Sequence, residues 1–285
     1  MANTEALRNT GKFIEFVRDI KSKFPSQDSS LTASLFPESI ASLWNRLGKN
    51  YLHQESIDAL AATMYLLQEQ GVNQVSGNKN KWLSIGSGPG LYELFLVKQL
   101  NRVKIDSLDI SMEQLRVGKQ IINPLAADNS KRINLINASM SEIPLASGKY
   151  DRVLVLNSLH WSADWKKAVS EVGRVLNPKN GSRVYAVIGS AAIVTKNGKT
   201  SPAKDLNTDT LIDEFEANGL MAKHLITMNI LNGQLNMPTS RMFAVFERGI
   251  KPNKHWSERM ISGQVKYGEI TILPNGTFQR TKLNG

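Results

Sequence analysis

Three glycines, Gly86, Gly88 and Gly90, alternate along the chain directly after the apolar run Trp82–Ile85. A helical pattern of apolar residues begins immediately behind them. A strand that passes through a glycine-rich turn into a helix N-terminus presents bare backbone N–H groups to a ligand. The stretch therefore predicts a cofactor-binding loop rather than an ordinary surface turn.

An acid follows the next predicted strand, since Asp109 lies nineteen residues after Gly90. At the carboxyl end of a strand, a carboxylate can accept hydrogen bonds from both hydroxyls of a ribose. Asp109 could instead cap the following helix, although Ser111 can fill that role itself. The spacing disfavours a dinucleotide, because Leu91 stands where the third glycine of G-x-G-x-x-G would be, and the Gly-Lys-Ser/Thr of a Walker loop is missing.

Composition narrows the remaining chemistry. The 285 residues include no cysteine, which excludes disulfides, cysteine nucleophiles and cysteine-ligated metals. The histidines do not stand at metal-ligand spacing, so no metal site is predicted. We expect a cytoplasmic protein, because neither a signal-peptide pattern nor a membrane-spanning run is present. The net charge of +10 is spread among acids, which favours a basic soluble protein over a nucleic-acid binder.

The elements that must position these residues change in character along the chain. Helical patterns cover 4–24, 37–47 and 54–70, and a polar linker follows. From Lys81 short apolar runs alternate with helical patterns, which is typical of a parallel α/β sheet. The predicted strands are 82–85, 104–108, 133–136, 152–156, 183–188, 224–230 and 242–247, with helices at 91–101, 112–122, 163–176 and 207–218. After Arg248, Pro274-Asn275-Gly276 predicts the turn of a β-hairpin.

Four motifs in order carry a family resemblance. They are Leu83-Ser84-Ile85-Gly86-Ser87-Gly88-Pro89-Gly90, Leu108-Asp109-Ile110-Ser111, the stretch 137–145 that begins Asn137-Ala138-Ser139-Met140, and the stretch 150–161 that ends Asn157-Ser158-Leu159-His160-Trp161. With these motifs, residues from about 50 to 247 resemble a class I S-adenosylmethionine-dependent methyltransferase of the small methyltransferase-domain type.

The resemblance implies an α/β fold with a Rossmann-like, doubly wound, seven-stranded sheet whose last strand is antiparallel. It also implies a helical cover over the substrate side at 1–75 and an S-adenosylmethionine-binding core at 76–249. The residues after this core, 250–285, are predicted from their own pattern to form a C-terminal extension with the hairpin.

The resemblance also implies roles for single residues. Gly86, Ser87 and Gly88, with Gly90 completing the loop, would face the methionine part of S-adenosylmethionine. Asp109 would hold the ribose, Ile110 would lie against the adenine, Ser139 and Met140 would lie at the adenine edge, and Asn157 would lie near the sulfonium. Two positions depart from the family pattern: Ser84 and Ser139 stand where the family often has acids.

Methyl transfer from a sulfonium depends mainly on positioning and on exclusion of water, so a general base is needed only for an acceptor that must lose a proton. His160, after the fourth strand, is the predicted catalytic base, with a pocket-lining histidine as the alternative. Tyr51, His53 and Trp161 are candidate substrate contacts, and packing or helix capping explains them equally well.

The acceptor stays open at this point. The first hypothesis is transfer to oxygen or nitrogen of a small molecule or short peptide. A tRNA or rRNA methyltransferase and a non-catalytic cofactor-binding scaffold are the alternatives. The basic charge motivates the RNA alternative, and Ser84 with Ser139 motivates the scaffold.

Overall fold

The computed structural model describes residues 4–24, 57–73, 80–100, 102–125, 130–179, 181–189, 205–230, 239–249, 254–272 and 278–284. These residues divide into two compact units, one up to Met140 and one from Ser141 onwards. The helices of the first unit are α1 (Thr4–Lys23), α2 (Ile57–Glu69), α3 (Leu91–Gln99) and α4 (Met112–Leu125), and its strands are β1 (Asn80–Ile85), β2 (Val103–Asp109) and β3 (Ile133–Asn137). The strands of the second unit are β4 (Arg152–Leu156), β5 (Arg183–Gly189), β6 (Leu220–Ile230), β7 (Thr239–Arg248), β8 (Lys266–Ile272) and β9 (Phe278–Asn284), and its helices are α5 (Trp165–Val175), α6 (Thr208–Ala217) and α7 (Trp256–Ile261).

In the first unit, β1, β2 and β3 are parallel, with β2 in the middle. Strand β1 is buried at five of its six positions, as expected for a parallel strand covered on both faces. Helix α1 is amphipathic, and its buried Phe13 stacks on Tyr92 of α3, with ring centroids 5.4 Å apart. The same ring makes a T-shaped contact with Phe95 of α3, with centroids 5.1 Å apart. This aromatic cluster attaches α1 to the helix that follows the glycine loop.

In the second unit the strand order is β4-β5-β7-β6-β8-β9. Strands β4 and β5 are parallel, and β7 is antiparallel to both of its neighbours, β5 and β6. Helix α6 begins with a capping box in which the side chains of Asn207 and Thr210 each accept the other's backbone N–H. The antiparallel seventh strand and the Rossmann-like α/β class predicted from the sequence are confirmed.

The C-terminal extension continues the sheet. Strand β8 pairs parallel with β6, and β9 pairs antiparallel with β8. Arg259 of α7 forms a buried ion pair with Glu216 of α6, which joins the extension to the core of its unit. The predicted hairpin partners are confirmed, while its turn at 274–276 lies outside the described residues.

The predicted boundaries differ from the observed ones mainly in β6, which starts four residues earlier than the sequence predicts. The predicted helix at 37–47 lies outside the described residues, and the three-domain division stays a prediction. None of the described helices combines the length and the apolar character that a membrane crossing requires.

Candidate functional site

The glycine loop between β1 and α3 has a backbone that only glycine adopts easily. Gly86, Gly88 and Gly90 have φ angles of 65°, 55° and 76°, in the left-handed region. The N–H groups of Gly86 and Ser87 both donate to the carbonyl of Leu108, at 2.7 and 3.1 Å, which fixes the loop against the end of β2. The alternation of glycines is therefore a conformational requirement of this turn.

Asp109, at the end of β2, is the centre of the loop's hydrogen bonding. Its Oδ2 accepts the N–H of Gly88 and its Oδ1 accepts the N–H of Ser111, both at 2.8 Å. Burial raises the pKa of the Asp109 carboxyl, and hydrogen bonds from the backbone of Ser111, Gly88 and Ile110 oppose that rise. A carboxylate can accept about four hydrogen bonds, so Asp109 can still accept one from a ribose hydroxyl.

Helix capping is not the task of Asp109. The Ser111 Oγ accepts the N–H of Gln114 at 3.2 Å, so Ser111 caps α4. Because Ser111 caps the helix, Asp109 is not needed as its cap, and its carboxylate binds the loop instead.

Glu93 is a residue beside the glycine loop that the sequence analysis does not identify. It lies in the first turn of α3, is 1% exposed, and accepts a short hydrogen bond from the Ser84 hydroxyl through Oε1. Burial raises the pKa of Glu93 to about 7; the hydrogen bond from Ser84 opposes this rise, and the charge of Asp109 adds to it. A glutamate inside the otherwise apolar run Leu91–Val97 was the available signal.

Gly118 is a second missed residue, inside α4. A Cβ placed there would lie 2.9 Å from the carbonyl oxygen of Pro89 in the glycine loop. Glycine in a helix interior costs about 0.5–1 kcal/mol relative to alanine, so the close approach of helix and loop explains its presence. Helix α4 thus packs directly against the glycine loop at Pro89.

The predicted adenine contacts lie beside Asp109. Ile110 is 38% exposed and Met112 is 49% exposed, an unusual amount for large apolar side chains. Asn137, at the end of β3, donates to the carbonyls of Asp109 and Ile110 at 3.1 and 3.0 Å. Ser139 and Met140 follow and are half-buried. The first unit therefore brings the loop, the predicted ribose acid and apolar surface together.

In the second unit, Asn157 directly follows β4 and has a φ of 56°, the one positive value of a non-glycine residue in the described ranges. Asparagine is enriched in this region of φ, so it is the residue type that accepts such a bend with least strain. Its N–H donates to the carbonyl of Val187 at 2.8 Å, and the chain then turns into the short 3-10 helix Leu159–Trp161.

His160 lies in that turn and is 6% exposed. Its Nδ1 accepts the N–H of Gly189 at 3.4 Å, which puts the proton of the neutral ring on Nε2. Arg241 lies opposite Gly189 in the β5–β7 register. Burial first, and the charge of Arg241 second, lower the pKa of His160 to about 4. The imidazole is consequently neutral at neutral pH.

Of the three predicted substrate contacts, the structure describes one. The ring of Trp161 lies 5.2 Å from that of His160, and the indole is half-buried. Tyr51 and His53 lie outside the described residues. Within the described ranges, no three His, Asp or Glu side chains come close enough to hold a metal ion.

The polar atoms of the first unit fit a cationic cofactor. Ser87 Oγ and Glu93 Oε2 are buried and have no hydrogen-bond partner among the described residues. Buried polar atoms in proteins are almost always satisfied, so these two suggest a ligand that completes them. Two carboxylates beside the loop would repel the phosphates of a dinucleotide, whereas S-adenosylmethionine has an ammonium, a sulfonium and no phosphate.

Comparison with known proteins gives the same result. Residues 83–179 match the methyltransferase-domain family. The chain is 24% identical over 165 residues, 56% of its length, to an uncharacterized methyltransferase, YdaC, of Bacillus subtilis, and the match spans 82% of that protein. It is 26% identical over 107 residues, 38% of its length, to a malonyl-[acyl-carrier protein] O-methyltransferase of Legionella pneumophila, of which 36% is covered.

Solved structures show the fold. A provisionally assigned sarcosine dimethylglycine methyltransferase of Galdieria sulphuraria has a TM-score of 0.56 at 16% identity, with 83% of this chain and 100% of that chain covered. The [4+2]-cyclase SpnF has a TM-score of 0.55 at 12% identity, with 84% and 95% covered. A cyclase among these neighbours illustrates that the fold by itself does not define the reaction.

Proposed function

Because this chain belongs to the class I S-adenosylmethionine-dependent methyltransferases, we propose that it transfers a methyl group to oxygen or nitrogen of a small molecule or short peptide. The observation that carries the proposal is the charge around the glycine loop. Glu93 and Asp109 are buried carboxylates beside backbone N–H groups, which suits a cationic cofactor with a ribose. When bound, S-adenosylmethionine supplies a methyl group that is already activated for displacement.

The residues of the second unit support a carboxylate oxygen as the acceptor atom. His160 is neutral, and because its Nδ1 accepts the N–H of Gly189, the ring proton is on Nε2. Arg241 contributes positive charge at the same strand ends. A carboxylate is nucleophilic without losing a proton, so these groups would have only to bind and orient it. The name of the Legionella relative, an O-methyltransferase, is in keeping with this acceptor.

The sequence predicts His160 as a general base, and that role stays a prediction. A base with a pKa of about 4 accepts a proton poorly at pH 7, so we assign His160 a hydrogen-bonding role instead. The pH profile of turnover in His160→Gln decides between the two. A general base predicts the loss of an ionisation from the profile, whereas a hydrogen-bonding role predicts a lower rate with an unchanged profile.

Calorimetry with S-adenosylmethionine, S-adenosylhomocysteine and NAD tests the cofactor. We expect binding of the first two and none of NAD, and a chain that binds neither of the first two would refute the proposal. Acceptors are then screened as pairs of carboxylic acids and matched amines, with methyl transfer followed by mass spectrometry.

Arg241→Gln sharpens the acceptor assignment. We expect KM for a carboxylate acceptor to rise about tenfold with cofactor affinity unchanged, as for the loss of one hydrogen bond to a charged group. Lys223→Gln, an exposed cation on β6, is the matched control. If both variants raise KM equally, Arg241 acts only through the overall positive charge and does not bind the acceptor directly.

The alternatives make different predictions. Salt-dependent retention on RNA, falling steeply between low and moderate salt, would favour the RNA methyltransferase suggested by the net charge of +10. The scaffold hypothesis rests on the missing acids at Ser84 and Ser139. Glu93 weakens it, because the Ser84 hydroxyl is itself hydrogen-bonded to a carboxylate.

A further inference from the structure

Glu93 is a buried acidic side chain beside the glycine loop. It is carried by α3 rather than by β1, yet its Oε1 meets the hydroxyl of Ser84 on β1. Its other oxygen, Oε2, lies 3.7 Å from where a Cβ on Gly90 would be, so it is directed at the loop. Oε2 is buried and has no hydrogen-bond partner in the described part of the chain.

A second atom, in the glycine loop itself, independently indicates a ligand. Ser87 Oγ, inside the loop, is also buried and without a partner among the residues described. A carboxylate oxygen and a hydroxyl oxygen can both accept from an ammonium, which has three hydrogens to donate. The absence of a Cβ on Gly86, Gly88 and Gly90 keeps the backbone of this loop open to a close approach.

We propose that Glu93 is the counter-charge for the ammonium group at the methionine end of the cofactor, and that Ser84 is the positioning residue that orients it. This inference rests on the proposed function. A buried carboxylate without a cation is costly, and an ammonium beside Oε2 would satisfy it. The acid that the family pattern leads one to expect at position 84 is thus provided from the facing helix.

Protonation gives the proposal a readout that does not need turnover. Burial, with the charge of Asp109 adding to it, raises the pKa of Glu93 to about 7, so part of the free protein carries a protonated Glu93 at neutral pH. Besides burial, the described groups that act on this pKa are the Ser84 hydroxyl on β1 and the backbone of Glu93 itself, which lower it, and Asp109 on β2, which raises it. An ammonium beside Glu93 favours its ionised form, and the proton leaves to solvent. Binding at pH 6.5 should therefore release a proton, detected by calorimetry in two buffers of different ionisation enthalpy.

The deciding experiment measures the binding of three ligands to Glu93→Gln. Glutamine keeps the acceptor for Ser84 and removes the charge. We expect S-adenosylmethionine and S-adenosylhomocysteine to bind about 10- to 100-fold more weakly, as for the loss of a hydrogen bond to a charged group. Methylthioadenosine, which lacks the ammonium, should bind as it does to the wild type, and the proton release should vanish.

Each other result overturns a specific statement. If Glu93→Gln weakens the binding of methylthioadenosine as much as that of S-adenosylmethionine, Glu93 acts only through the structure of the loop. If all three ligands bind Glu93→Gln as tightly as the wild type, the inference is wrong and the proposed function survives. If the wild type itself binds neither S-adenosylmethionine nor S-adenosylhomocysteine, the proposed function has failed first.

An exchange of the two side chains gives a gain-of-function test. Ser84→Asp combined with Glu93→Ser returns the acid to β1 and the hydroxyl to α3. We expect this double variant to recover affinity for S-adenosylmethionine relative to Glu93→Ser alone, and thermal unfolding confirms that both variants are folded. Two folded variants of equal, weakened affinity would show that the carboxylate works only from α3, which contradicts a simple counter-charge.

Discussion

Two regions of the molecule differ in the charge of their side chains. The glycine loop of the first unit is surrounded by acids, whereas the turn after β4 in the second unit has a neutral histidine and an arginine. Around the glycine loop, burial holds two carboxylates, Glu93 and Asp109, at raised pKa. Around the turn after β4, burial and Arg241 hold His160 neutral at a lowered pKa. The first arrangement suits a cation and the second suits an anion or a neutral group. This contrast supports the proposal that the cofactor binds at the first region and the acceptor at the second.

The largest effect is expected for Asp109→Ala. It removes the acceptor of the Gly88 N–H and both predicted ribose contacts, so we expect S-adenosylmethionine affinity to fall about 100-fold. Asp109→Asn is the matched control, because the amide keeps the shape and one acceptor oxygen. Calorimetry measures both, and unchanged affinity in Asp109→Ala would contradict its assignment to the ribose.

The two regions should also give the stability curve opposite slopes with pH. The folded pKa of Glu93, about 7, lies above its unfolded value, so its contribution is present at low pH and is lost as pH rises from 4.5 to 7. The folded pKa of His160, about 4, lies below its unfolded value, so its contribution is lost as pH falls from 6.5 to 4. Each is of order 3 kcal/mol, from about 1.4 kcal/mol per pKa unit.

Urea unfolding of Glu93→Gln and His160→Gln across pH 4 to 8 separates the two terms. Relative to wild type, Glu93→Gln should gain stability as the pH rises from 4.5 to 7. His160→Gln should lose stability relative to wild type as the pH rises from 4 to 6.5. His224, whose pKa burial and the charge of Lys266 also lower to about 4, leaves a residual acid slope in the second variant. Parallel curves for both variants would show that the two regions do not differ in this way.

The packing behind the loop is tested by Gly118→Ala. The new Cβ would meet the Pro89 carbonyl, so we expect a loss of about 1–3 kcal/mol in the free energy of unfolding and weaker cofactor binding. Gly11→Ala on α1 is the matched control, since a Cβ there meets nothing within 4 Å. The control should gain about 0.5–1 kcal/mol from helix propensity alone. A gain in both variants would mean that Gly118 does not support the loop.

The smallest effect concerns the backbone at Asn157. Alanine at a φ of 56° costs about 1 kcal/mol more than glycine, so Asn157→Ala should unfold more easily than Asn157→Gly by about that amount. Both variants lack the amide, so any loss of turnover that they share reports the side chain. Equal stability of the two would place Asn157 outside the left-handed region in solution.

Much of this arrangement is determined by the sequence itself. Alternating apolar runs and helical patterns predict the β1–β7 order of elements, because strand and helix periods are local properties of the chain. The three glycines and Asp109 identify the cofactor loop for the same reason, since a positive φ leaves a direct mark in residue type. Asn157 is another residue of this kind.

Other features depended on contacts between distant positions. Glu93 meets Ser84 only because the glycine loop brings the first turn of α3 beside β1. From the sequence alone, Ser84 therefore looked like the loss of an acid. Gly118 approaches Pro89, and Arg241 faces Gly189, through packing that no local pattern encodes. The pKa values follow from burial, which is likewise set by the whole fold. The sequence by itself predicted which loop binds the cofactor, because glycine spacing is a local property, and the tertiary structure decided which charges surround that loop.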